Sequence, residues 1–140
     1  ATISTRDILD MFRTDDDDHY AATALLCLEN THNSLGGIAL TKQYMDTMGQ
    51  LAQQQNIPMH VDGARIFNAA IATDTPVSDL VAHADTVSVC LSKGLGAPLG
   101  SLVVGSTETM TLAKRARKHC GGGMRQVGVV ASMGMYALLH

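Results

Sequence analysis

The sequence of 140 residues predicts an α/β fold, a mostly parallel sheet with flanking helices. Three observations carry that expectation. A continuous apolar run at 24–28 suits a strand covered on both faces, and 86–91 and 100–105, the latter with Leu102, Val103 and Val104 at its centre, read as further short strands. The segments between most of them place apolar residues at helical spacing. Polar, chemically capable side chains gather where the runs end, as they do at the carboxyl rim of an open α/β sheet.

Each element has its own signal. Ile8, Leu9 and Phe12 sit at near-helical spacing, so 3–12 reads as a short helix. Asp15, Asp16, Asp17 and Asp18 form a self-repelling run that reads as a solvated loop; the glycine and spacing of an EF-hand do not follow it. The apolar strand 24–28 runs into Glu29-Asn30-Thr31-His32-Asn33. Residues 41–55 read as an amphipathic helix with Met45, Met48 and Ala52 on one face, ended by Asn56 and Pro58. A second strand, 58–61, has Asp62 at its carboxyl end, and Gly63-Ala64-Arg65 turns into a helix carrying Ile66, Phe67, Ala70 and Ile71. A short helix at 79–83 precedes the third strand, and Ser92-Lys93-Gly94-Leu95-Gly96 follows that strand as a loop. The fourth strand leads to a basic helix at 107–119, stopped by Gly121-Gly122-Gly123, and an apolar helix at 124–139. Alternating strands and helices predict parallel pairing with crossover connections.

Composition narrows the function classes. With 46% hydrophobic and 16% charged residues the chain is not a disordered one, and its length suits one domain. A net charge of -3 argues against a nucleic-acid partner, and no apolar stretch approaches a membrane span. Three scattered cysteines without CxxC spacing fit neither a disulfide framework nor a zinc site. Cys27 and Cys90 lie in apolar runs and are expected as buried, reduced thiols, which points to a reducing, cytoplasmic setting. The first twelve residues carry two Asp and no apolar core of a signal peptide, and without an initiator Met the sequence reads as a piece of a longer chain.

The rim residues carry the chemistry. Glu29-Asn30, Asp62 and Ser92-Lys93 converge if their strands are parallel neighbours. Lys93 follows a buried strand and is flanked by small and apolar residues, so a solvated lysine competes with a partly buried Schiff-base amine. Asp62 reads either as a cap of the following helix or as a carboxylate for a protonated pyridine nitrogen. His60 and Asp62 share a strand face, yet a third metal ligand is not evident. Gly94-x-Gly96 lacks the rest of a dinucleotide fingerprint, and Lys114-Arg115-Ala116-Arg117-Lys118 reads first as a basic helix face suited to the helix dipole.

Asp62-Gly63-Ala64-Arg65, followed by Ser92-Lys93-Gly94-Leu95-Gly96-Ala97-Pro98-Leu99-Gly100-Ser101, resembles the threonine aldolases of the β-eliminating lyase family. Further matching segments are Leu28-Glu29-Asn30-Thr31-His32-Asn33, His60-Val61-Asp62 and Gly121-Gly122-Gly123-Met124-Arg125-Gln126. The resemblance implies a fold-type-I, pyridoxal-phosphate-dependent lyase that cleaves threonine or allo-threonine to glycine and acetaldehyde through an external aldimine. It implies Lys93 as the cofactor lysine, Asp62 at the ring nitrogen and Arg65 on the substrate carboxylate. His19 matches a histidine near the substrate hydroxyl, and Lys118 and Arg125 match basic residues reaching cofactor phosphate or a neighbouring subunit. It further implies a homo-oligomer, dimer or tetramer. On this reading residues 1–140 are part of the large domain, without its amino-terminal phosphate loop and without the carboxy-terminal small domain. Open sheet edges and exposed apolar surface are expected to follow. Another fold-type-I reaction (β-elimination or transamination) and a non-catalytic piece that needs a partner chain are the competing readings.

Overall fold

A computed structural model describes residues 2–14 and 17–140, so Asp15 and Asp16 of the acidic run lie outside the described residues. In chain order the elements are α1 (Thr5–Met11), β1 (Leu26–Glu29), α2 (Lys42–Gln54), β2 (Met59–Gly63), α3 (Ile66–Thr73), α4 (Val77–Leu80), β3 (Thr86–Cys90), β4 (Ser101–Gly105), α5 (Thr107–His119) and α6 (Gly128–Leu139). A single 3₁₀ turn, Asn33–Leu35, lies between β1 and α2.

Helix starts follow the local chemistry. Ser4, Thr41 and Ser106 each accept a backbone N–H of the first turn of α1, α2 and α5, satisfying donors that a helix leaves unpaired. Arg117, Lys118 and His119 crowd the last turn of α5, where cations oppose the negative end of the dipole. Two helices differ from the sequence expectation. The short helix falls at Val77–Leu80, where Pro76 supplies its start, and the last begins only at Gly128, because Gln126 adopts a left-handed φ of 48°.

The four strands lie in the order β1-β2-β3-β4. The β1–β2 and β2–β3 pairs are parallel, and β3–β4 is antiparallel. The expected parallel pairing therefore fails at the last strand. A parallel return needs a crossover of a dozen or more residues, and the link at 91–100 contains no helix to make one.

The sheet has two chemically different faces. Leu26, Leu28, Met59, Val61 and Val87 point to one side and pack with Leu40, Met45, Met48 and Ala52 into the main core. A second cluster forms where Ile66 and Ala69 of α3 meet Leu80 of α4. The expected α2 face is thus the buried one. On α3 the expectation is only partly met: Ile66 is buried but Ile71 is 85% exposed, because the contact runs through positions 66 and 69. Gly49 sits on the packed side of α2, and a Cβ there would overlap the Cβ and Cγ of His83.

The other face carries Cys27 and Glu29 from β1, His60 and Asp62 from β2, and Thr86, Ser88 and Cys90 from β3, placed side by side by the register. Nothing among the described residues covers it as the core covers the first. Strand β1 is therefore buried on one face only, contrary to the sequence expectation, and Cys27 is exposed while Cys90 is half-buried. An apolar run marks what a strand can bury; whether a layer lies over it is decided elsewhere. Edge strand β4 leaves Leu102, Val103 and Val104 between 40% and 52% exposed, an apolar surface open along the sheet edge. Helix α6 is apolar on all sides yet buries only Gly134.

Candidate active site

Three strands deliver their carboxyl ends to one rim, as expected, but the rim residues divide into structural and available groups. Asn30 is fully buried, and both ends of its amide are spent on Leu40: Nδ2 donates to the carbonyl at 3.1 Å and Oδ1 accepts the N–H at 2.9 Å. It closes the loop after β1, and its full burial keeps it from a ligand. Glu29 is also engaged, accepting Asn33 N–H at 3.0 Å and facing His32 Nε2 at 3.7 Å.

Asp62 and Lys93 remain, and they line the same cleft of about 230 Å³ together with Ala64, Ser88, Cys90 and Ser101. Asp62 does not cap α3. The cap position belongs to Arg65, whose side chain makes no capping bond, while Asp62 Oδ1 accepts Ala64 N–H at 3.0 Å in the turn ahead of the helix. Ser88 Oγ donates to the same oxygen at 3.3 Å, and Oδ2 makes no hydrogen bond among the described residues. On its other side Asp62 borders a second cleft of about 400 Å³, with Cys27, Glu29 and His32. A larger concavity of about 610 Å³ lies between the Lys93 loop and α6, beside Leu95, Pro98, Met133 and Tyr136, but it holds neither an amine nor a carboxylate side chain. Chemistry therefore assigns the smaller cleft.

Lys93 is held by its loop rather than by burial. The neck closes where Leu91 N–H donates to Gly100 O at 3.0 Å, and Ala97 N–H returns to Leu91 O at 3.0 Å. Gly96 takes a φ of +71°, a turn that a side chain would strain. The expected partial burial is not met: Lys93 is exposed, on a sheet face that nothing among the described residues covers.

The other expected site residues are not brought to this cleft. Arg65 stands at the start of α3, half-buried, and its guanidinium makes no hydrogen bond or ion pair among the described residues. His19 is exposed and pairs with Asp17 Oδ1 at 2.9 Å, away from the cleft. Lys118 and Arg125 are exposed, one in the last turn of α5 and one in the segment before α6. His60 Nδ1 bonds Thr86 Oγ1 at 2.7 Å, which engages one ring nitrogen along the open face.

Two cleft residues are not visible to sequence reading as site residues. Ser88 reads as one polar residue inside an apolar strand, and Cys90 as core; only the period-two alternation from Cys90 could have put them on one face. The Cys90 thiol is held below its ordinary value of 9.0, first by hydrogen bonding to the Ser92 side chain and backbone, which outweighs the opposing effect of burial, with Ser101 and the charge of Lys93 adding smaller contributions. A lowered value means more thiolate at a given pH, and the thiolate is the nucleophile. The iodoacetamide rate at Cys90, followed by peptide mass spectrometry, should therefore inflect below pH 9.0 and shift upward in Ser92→Ala. An inflection at or above 9.0 would show that these contacts do not act on the thiol.

The profile of the β-eliminating lyases matches residues 1–140, the whole chain. The chain belongs to the β-eliminating lyase family. Among curated β-eliminating lyase relatives, the probable low-specificity L-threonine aldolase 2 of Arabidopsis thaliana is 50% identical over 120 residues, covering 86% of this chain and 34% of that protein. The low specificity L-threonine aldolase of Escherichia coli K12 is 47% identical over 123 residues, covering 88% of this chain and 36% of that protein. The chain thus spans about a third of the length of these relatives. Solved structures share the fold: a putative L-allo-threonine aldolase from Listeria monocytogenes superposes with a TM-score of 0.82 at 20% identity, over 97% of this chain and 36% of that one. The threonine aldolase of Leishmania major gives 0.81 at 18% identity, over 98% and 40%. The α/β, fold-type-I reading of the sequence agrees with these likenesses, and so does the family.

Proposed function

We propose that this chain is the lysine-bearing part of a pyridoxal-phosphate-dependent threonine aldolase, which cleaves L-threonine or L-allo-threonine to glycine and acetaldehyde. The observation that carries the reading is the meeting of Lys93 and Asp62 at one cleft on the carboxyl rim. Those residues fit the cofactor: an amine for its aldehyde carbon, and a carboxylate with one oxygen unspent for its ring N–H. When bound, the cofactor supplies an electron sink for the carbon–carbon bond that breaks.

The chain's own residues hold and orient. Lys93 would hold the cofactor through its aldehyde carbon, and its amine would also serve as a base close to the reacting carbon. Asp62 keeps a proton on the ring nitrogen, which is what makes the ring withdraw electrons. Arg65, its guanidinium without a hydrogen bond or ion pair among the described residues, suits the planar substrate carboxylate and would fix how the amino acid sits over the ring. His19 at the substrate hydroxyl, and Lys118 and Arg125 at cofactor phosphate or a subunit boundary, enter the proposal through family resemblance; none of them lines the cleft. The broad apolar exposure of β4 and α6 supports a homo-oligomeric assembly, dimer or tetramer. A cytoplasmic role in threonine breakdown and glycine formation fits three cysteines without a disulfide.

The test uses the full-length gene product with pyridoxal phosphate and each threonine diastereomer, following glycine and acetaldehyde together. Equal release of the two supports the reading. Release of ammonia and 2-oxobutanoate without glycine would make the protein a β-eliminating enzyme instead. The 140-residue chain alone is expected to turn over far more slowly. Its cleft offers a lysine and a carboxylate but no cluster of backbone N–H groups at a helix start, the usual seat of a phosphate.

A further inference from the structure

We propose that Ser88 is a positioning residue for Asp62, fixing the carboxylate so that one oxygen serves the chain and the other serves the ring nitrogen of the ligand. The inference rests on the cofactor reading above and adds a residue to it.

The argument begins with register. Parallel pairing sets Ser88 of β3 directly beside Asp62 of β2, with both side chains on the open face. On the other flank the register neighbour is Glu29, but its carboxylate oxygens face Asn33 and His32. Ser88 is therefore the one lateral donor to Asp62 among the described residues, at 3.3 Å, and Ala64 N–H is the one donor from below, at 3.0 Å. Both bonds converge on Oδ1, and Oδ2 has no partner among the described residues. Two donors on one oxygen restrict rotation of the carboxylate, whereas Ala64 alone would act as a single pivot. Ser88 lines the same cleft as Lys93, so its hydroxyl acts at the site.

Ser88→Ala is expected to weaken pyridoxal phosphate binding about five- to tenfold, the scale for one partly exposed hydrogen bond to a charged group. Ser88→Thr, which keeps a hydroxyl on the open face, should restore binding. The decisive comparison is a double-mutant cycle in the full-length gene product, with the cofactor dissociation constant measured by absorbance for wild type, Ser88→Ala, Asp62→Ala and the double variant. If Ser88 works through Asp62, Ser88→Ala has no further effect once Asp62 is gone. In turnover, Ser88→Ala should lower kcat while leaving KM for the amino acid unchanged, because Ser88 acts on the ring side and not on the substrate carboxylate. If Ser88→Ala binds the cofactor as tightly as wild type, or loses the same factor without Asp62, Ser88 has no positioning role and this proposal alone falls. If wild type takes up no cofactor at Lys93, the functional reading falls and this proposal falls with it.

Discussion

Replacing Lys93 by alanine is expected to abolish covalent capture of pyridoxal phosphate and to cut turnover by roughly four orders of magnitude, about 5 kcal/mol of transition-state stabilisation. No other lysine lines the cleft. Lys42 is tied to Asp46 at 2.7 Å on the far side of the core, and Lys114 lies on the exposed helix α5. Borohydride reduction of the cofactor-loaded, full-length protein should place the mass increment on the peptide containing Lys93. An adduct on the Lys42 or Lys114 peptide would refute the assignment. Lys93→Arg should fail as completely as alanine: it keeps the charge in an exposed loop, but a guanidinium forms no such bond.

The second large effect is expected at Asp62. Asp62→Asn should lower turnover by roughly a hundredfold or more, about 3 kcal/mol, on the scale of removing the charged partner from an ion pair enclosed by ligand and protein. The attachment at Lys93 should still form. The choice of asparagine separates two roles that alanine would merge. An amide oxygen can still accept Ala64 N–H and Ser88 Oγ–H, so the turn before α3 survives, while the charge that keeps a ring nitrogen protonated is gone. Asparagine should therefore leave the unfolding midpoint close to wild type and abolish most activity, whereas alanine should affect both. Wild-type turnover in Asp62→Asn would reduce Asp62 to a residue that closes the turn.

The different fates of the rim residues show why a list of candidates is not yet a site. Glu29, Asn30, Asp62 and Lys93 look equivalent as polar residues after apolar runs. The fold spends Asn30 wholly and Glu29 largely on the loop after β1, through Leu40 and Asn33. It spends one oxygen of Asp62 and leaves the other. These outcomes depend on which backbone groups the loop leaves unpaired, and a sequence pattern does not record that.

The sequence by itself determined what depends on neighbours a few positions away. The spans of α2 and α5, the buried stripe Met45, Met48 and Ala52, and the placing of Asp62 and Lys93 at strand ends all follow from local spacing and chain chemistry. The family could be read for the same reason, since its motifs are contiguous. Tertiary structure alone decided the rest. Exposure of Cys27 was decided by what covers the sheet, and the antiparallel return of β4, the withdrawal of Asn30 and the meeting of Ser88 with Asp62 each depend on residues brought together from 10 to 26 positions apart. A strand's alternation says which side chains share a face. Only pairing, through hydrogen bonds between distant backbones, says what stands beside them and what covers them.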